Sequence, residues 1–148
     1  MPLSPKWKRR FKENGFRWTI TRKAILDLLS GTTKHMSAQE IYDTLLESYP
    51  GIGMSTVYRT LDLLSRMCLV NKINIGEDKN RYEYRSDEGK AHHHHLICTN
   101  CGKIIDYCDF LDYELDLVKK IEKNLSRKYS FLVKNHNIDF YGLCKDCK

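Results

Sequence analysis

STVYRTLDLLSRMCLVNKINIGEDKNRYEY, residues 55–84, changes its hydrophobic period midway. In its first half Val57, Leu61 and Leu64 recur at helical spacing, with Ser55 as the expected N-cap and Met67 and Cys68 closing the apolar face. From Val70 the pattern alternates instead, through Ile73 and Ile75 to a polar turn at residues 76–80 and back through Tyr82 and Tyr84, as in a two-stranded hairpin. Working backwards, Ser37-Ala38-Gln39-Glu40 is a capping-box sequence ahead of Ile41, Leu45 and Leu46, ended by Pro50-Gly51. Before that, Ala24, Ile25, Leu28 and Leu29 give a helix from Thr21 to Ser30, followed by Gly31. Three helices and then a ribbon is the order of a winged helix-turn-helix.

The polar side of the third helix carries Thr56, Tyr58, Arg59 and Asp62 beside Ser55, in the first turns, where such a helix meets base edges and phosphates in a major groove. A solvated helix face is the bland alternative, and the ribbon that follows tips the balance against it. Arg17, Arg22 and the basic run Lys6 to Lys12 offer further contacts to phosphate or the minor groove. Charge agrees with this. Residues 1–86 hold 15 Lys and Arg against 9 Asp and Glu, whereas residues 87–148 hold 10 of each. The whole excess of the +6 net charge therefore sits in the first part, which is built for a polyanion.

The second part carries five of the six histidines and five of the six cysteines. Cys98-x-x-Cys101 and Cys144-x-x-Cys147 are two pairs that can together hold one ion tetrahedrally, with Gly102 helping the first turn. Disulfides are disfavoured in the reducing interior expected for a chain with no signal-like leader and no membrane-length apolar run, and a dithiol redox motif would not need a second pair. Zinc suits this site better than iron. Cys68 reads as a core residue, and Cys108 is unassigned.

His92-His93-His94-His95 is internal and abuts Leu96-Ile97-Cys98, unlike a terminal tag. On a strand, His92 and His94 face one way and His93 and His95 the other, so the run points to two sites. His35, Glu83, Asp106, Glu114 and His136 are the nearby or foldable partners, and mixed nitrogen and oxygen ligands suit zinc, iron(II) or manganese. After Asp106, Leu111, Leu115, Val118, Ile121 and Leu125 form a helical stripe, and Ser130 to Leu143 reads as a strand. The fold class expected is α+β: a winged-helix DNA-binding domain at 1–86 and a small metal-binding α/β domain at 87–148. The latter is too small to bury much apolar surface alone, so dimerisation is expected.

These motifs together resemble the ferric uptake regulator family: Thr21-Arg22-x-x-Ile25-Leu26, Ser37-Ala38-x-x-Ile41-Tyr42, Ser55-Thr56-Val57-Tyr58-Arg59, the histidine run before Leu96-Ile97-Cys98-x-x-Cys101-Gly102, and Tyr141-Gly142-x-Cys144. The resemblance covers nearly the whole chain. It implies a cytoplasmic metal-dependent repressor that binds palindromic operator DNA as a homodimer, without a membrane anchor. It also implies structural Zn2+ at Cys98, Cys101, Cys144 and Cys147, and a regulatory Fe2+, Zn2+ or Mn2+ at His35, Glu83, His93, His95 and Asp106. A further site would draw on His92, His94, His136 and Glu114. Two departures stand out: many relatives carry aspartate at the place of His94, and Asp106 matches peroxide-sensing members whereas Glu83 matches iron-sensing ones. A metalloenzyme is the rival class, but the chain lacks both a His-Glu-x-x-His helix and a deaminase signature. A zinc-ribbon RNA or protein adaptor is the third reading.

Overall fold

The computed structural model describes residues 4–85, 93–109 and 111–148. His92 and the side chain of Leu111, to which the sequence assigns a site and a stripe, lie outside the described set, as do residues 86–91. Residue contacts divide the chain into two units, 1–86 and 87–148.

The first unit contains four helices, α1 (Ser4–Glu13), α2 (Ile20–Ser30), α3 (Ala38–Leu46) and α4 (Met54–Arg66), and an antiparallel pair, β1 (Val70–Asn74) and β2 (Asn80–Tyr84). The sequence reading missed α1. Trp7 and Phe11, four residues apart and so on one helical face, are 1% and 0% exposed and join the core, while Lys6, Lys8, Arg9 and Lys12 remain exposed. Trp7 packs edge-on against Tyr84 at 6.0 Å, and Phe11 against Trp18 at 4.9 Å. Arg10 donates to the Met67 carbonyl at 2.9 Å and so satisfies the end of α4.

The other helices begin where their caps allow. Thr19 accepts from the Arg22 amide at the start of α2. Ser37 accepts from the Glu40 amide at 3.1 Å while the Glu40 carboxylate accepts from the Ser37 amide at 2.6 Å, closing the capping box of α3. Ser55, however, is not the cap of α4. Gly53 holds that place in extended conformation, its carbonyl taking the amides of Thr56 and Val57, so Ser55 falls inside the first turn. At the other end Cys68 turns left-handed at φ 55° and is half-buried, closing the helix rather than lying in the core. The wing turns through Gly76 at φ 107°, with Glu77 and Asp78 also left-handed.

In the second unit a three-stranded sheet is ordered β4-β3-β5, with β3 (His94–Cys98) in the centre, antiparallel to β4 (Ile104–Tyr107) and parallel to β5 (Asp139–Gly142). The helix α5 (Leu111–Tyr129) links β4 to β5. The strand expected from Ser130 to Leu143 is confined to its last third, because Ser130 leaves α5 left-handed at φ 51° and residues 131–138 follow no ladder. Leu115 and Val118 are half-buried, but Ile121 and Leu125 remain 46% and 42% exposed. Among the described residues, no helix is long and apolar enough to cross a membrane.

Candidate metal centres and nucleic-acid interface

On α4, Val57, Thr60, Leu61, Leu63 and Leu64 turn inward. The geometry of the helix leaves Ser55, Thr56, Tyr58, Arg59 and Asp62 exposed together. Arg17 is exposed as well, but Arg22 is half-buried: its guanidinium donates to the Arg17 carbonyl and lies over the Phe11 ring, so it braces the turn between α1 and α2.

The four cysteines converge. Cys98 ends β3, Cys101 follows in a turn that Gly102 closes at φ 72° with its amide on the Cys98 carbonyl, and Cys144 and Cys147 follow β5. Their sulfurs lie within 4.8 Å of one another, with Cys101 Sγ and Cys144 Sγ 3.8 Å apart. A tetrahedral zinc with bonds of about 2.3 Å places its sulfurs about 3.8 Å apart, so these side chains fit that ion. Their protonation fits it too. Backbone amides of Cys101 and Cys144 hold the Cys98 thiol down to about 6, whereas the thiols around Cys101 push it up against the pull of the Lys103 amide. Four thiolates this close ionise together only beside a cation.

The five residues read as one regulatory site fall in both units. In the first unit His35 Nε2 lies 3.2 Å from Glu83 Oε2, both side chains largely buried. Reciprocal backbone bonds between Met36 and Tyr82 set that approach, and Asn71, opposite Glu83 across the ribbon, donates to its carboxylate at 2.9 Å. In the second unit His93 and His95 rings stand perpendicular at 5.1 Å, and His95 Nε2 lies 3.8 Å from Asp106 Oδ1, its register partner on β4.

His94 points to the opposite face of β3, as strand alternation requires. It is 1% exposed, and its Nε2 lies 3.1 Å from Glu114 Oε2. Tyr107, its register partner, donates to the other Glu114 oxygen at 3.1 Å. Burial holds His94 below the ordinary imidazole range, while burial and Glu114 push the Tyr107 phenol up to about 12. His136 comes within 6.1 Å of the His94 ring, but its Nδ1 pairs with Glu122 at 2.9 Å. Glu114 and His136 are thus near His94, each through its own contact.

Two residues of these clusters escaped the sequence reading. Glu122 lies two turns beyond Glu114 on α5, a spacing that could have suggested it. Asp139, which bonds His95 Nδ1 at 2.9 Å, had no local signal because the two lie 44 residues apart.

Comparison with known proteins gives one consistent result. The model of the ferric uptake regulator family matches residues 13–141. A ferric uptake regulation protein of Bacillus subtilis is 37% identical, the match spanning 95% of this chain and 91% of that protein. A peroxide-responsive repressor, PerR, of Staphylococcus saprophyticus is 34% identical, over 93% of this chain and 86% of the relative. Among solved structures, the Helicobacter pylori ferric uptake regulator, described as having three functional metal-binding sites, superposes with a TM-score of 0.68 at 25% identity, covering 96% of this chain and 89% of that one.

Proposed function

This chain belongs to the ferric uptake regulator family, and from that premise we propose that it is a cytoplasmic, metal-dependent repressor that binds palindromic operator DNA as a homodimer. The convergence of two kinds of ligand set in the second unit, four thiols on one side and histidines with carboxylates on the other, carries the proposal.

Zn2+ at Cys98, Cys101, Cys144 and Cys147 fixes the ends of β3 and β5. A regulatory Fe2+, Zn2+ or Mn2+ takes His35 and Glu83 from the first unit and His93, His95 and Asp106 from the second. One ion with ligands in both units biases the hinge near residues 84–91, of which 86–91 lie outside the described residues. A further site draws on His92, His94, Glu114 and His136. Exposed apolar side chains of the second unit, among them Leu117, Ile121 and Phe140, are the surface a second copy covers.

In the dimer, Ser55, Thr56, Tyr58 and Arg59 of each copy enter major grooves about 34–36 Å apart, with Arg17 and Arg22 at the backbone, so a metal that sets the hinge sets whether both helices dock. Metal and DNA then strengthen each other by an equal factor, typically about 5–150-fold. Asp106, together with a peroxide-responsive relative at 34% identity, supports peroxide sensing as the second reading. Under that reading, iron-loaded protein treated with peroxide gains 16 mass units (about one oxygen atom) on the peptide bearing His35 or His93.

The main test selects duplexes from a random pool with Mn2+-loaded protein and titrates them with and without Mn2+. Palindromic enrichment and metal-strengthened affinity are expected. Equal affinity for wild type and the His93→Ala, His95→Ala variant removes the regulatory role.

A further inference from the structure

We infer that Asp139 is a positioning residue for the regulatory metal: it fixes which nitrogen of His95 is offered to the ion. The inference rests on the proposed role of His95 as a ligand and adds a residue outside the five.

β3 is the central strand, so His95 has a register partner on each side, Asp106 on β4 and Asp139 on β5. Both carry carboxylates, and the two nitrogens of one ring divide between them. Nδ1 lies 2.9 Å from Asp139 Oδ1, and Nε2 lies 3.8 Å from Asp106 Oδ1. A carboxylate accepts and does not donate, so the short bond places the proton of a neutral imidazole on Nδ1 and leaves the lone pair on Nε2. That is the nitrogen facing Asp106.

The surroundings make this bond selective. His95 is 4% exposed and the Asp139 side chain about one-fifth exposed, so water competes little for either atom. The His95 amide also donates to the Ile138 carbonyl at 3.3 Å, so backbone and side chain together hold β5 against β3. A charged acceptor behind the ring polarises the imidazole and makes Nε2 a better donor to a cation. Asp139 thus acts on the metal through His95.

The test measures Mn2+ affinity of the full chain by the paramagnetic resonance of free Mn2+, and the His95 tautomer by long-range nitrogen spectra of the metal-free protein. Asp139→Ala is expected to weaken Mn2+ binding by roughly 10–100-fold and to shift His95 toward the Nε2-protonated form. Asp139→Asn, which keeps an acceptor but loses the charge, is expected to fall between and to retain the Nδ1-protonated form. Zinc content at the four cysteines and the helical circular dichroism signal report folding; if Asp139→Ala fails on either, Asp139→Asn alone decides by its affinity. Wild-type affinity in a folded Asp139 variant, with His95→Ala deficient, overturns the inference and spares the site. Wild-type affinity in His95→Ala overturns the site itself and this role with it.

Discussion

The two units bury opposite kinds of side chain. In the first, the interior is Trp7, Phe11, Ile25, Leu29, Ile41, Leu61, Leu64 and their neighbours, with Glu83 the one buried carboxylate among its described residues. In the described part of the second, the buried side chains are His94, His95, Ile97 and Cys98. Three of those four are of residue types that can ligate metals, while Leu117, Phe131, Leu132 and Phe140 stand in solvent. The first unit is therefore held by the transfer of apolar surface out of water, whereas the second leaves much of that surface exposed, and under the proposed function ions and a second copy complete it.

Removing the ion is the strongest way to break that contrast. Structural zinc contributes about 10–16 kcal/mol to small zinc-held folds, as much as or more than the whole stability of an ordinary domain. In the full chain, Cys98→Ser with Cys101→Ser is expected to abolish hydrogen-exchange protection of β3 and β5 while α2, α3 and α4 keep theirs. Uniform protection loss, or none, would mean that the units do not differ in what holds them.

The reverse experiment acts on the apolar core. Trp7→Ala deletes a fully buried indole and is expected to cost the first unit about 3–5 kcal/mol, read by denaturant unfolding, with exposed Lys8→Ala within about 0.5 kcal/mol of wild type. Zinc content should be unchanged in both variants. A small Trp7 effect would show that α1 is an appendage and not part of the core.

That helix also marks where sequence reading stops. The helices α2, α3 and α4 announce themselves through repeated apolar positions, and α3 through its capping box, whereas α1 buries two residues one turn apart amid a run of lysines and arginines. Two positions do not make a period. The start of α4 was misplaced because Ser55 is the better cap by side chain, but the chain enters extended at Gly53, two residues earlier. In the second unit the two Cys-x-x-Cys pairs and the alternation of His93, His94 and His95 were legible, since spacing and strand period are local. Asp139 was not, because its place opposite His95 follows from which strands pair. Glu122 needed the irregular segment 131–138 to bring His136 to the flank of α5.

A smaller effect separates the units by function. Arg59 lies on the exposed face of α4 in a unit with no thiol cluster among its described residues, so Arg59→Ala is expected to weaken binding to the selected duplex by about 1–3 kcal/mol and to leave Mn2+ affinity of the DNA-free protein unaltered. Fluorescence anisotropy gives the first quantity and competition for Mn2+ the second. A change in both would place Arg59 within the metal linkage.

The smallest effect concerns the rim of the first unit. The hydrogen bond from the Ser37 amide holds the Glu40 carboxyl below its usual 4.5, helped by Arg81 and the Ser37 hydroxyl and opposed by partial burial. A depressed folded value adds stability that is fully present above the unfolded range and is lost as pH falls through the folded one. Glu40→Gln should therefore be less stable than wild type at neutral pH and should lose less on acidification below about pH 4.5, so the two unfolding curves approach each other. Half of the Glu40 side chain is in water, which limits the difference at neutral pH. Parallel acid limbs for the two proteins would mean that the capping box holds α3 through its geometry alone, without a contribution from charge, and that the first unit owes its stability to its apolar interior even at its rim.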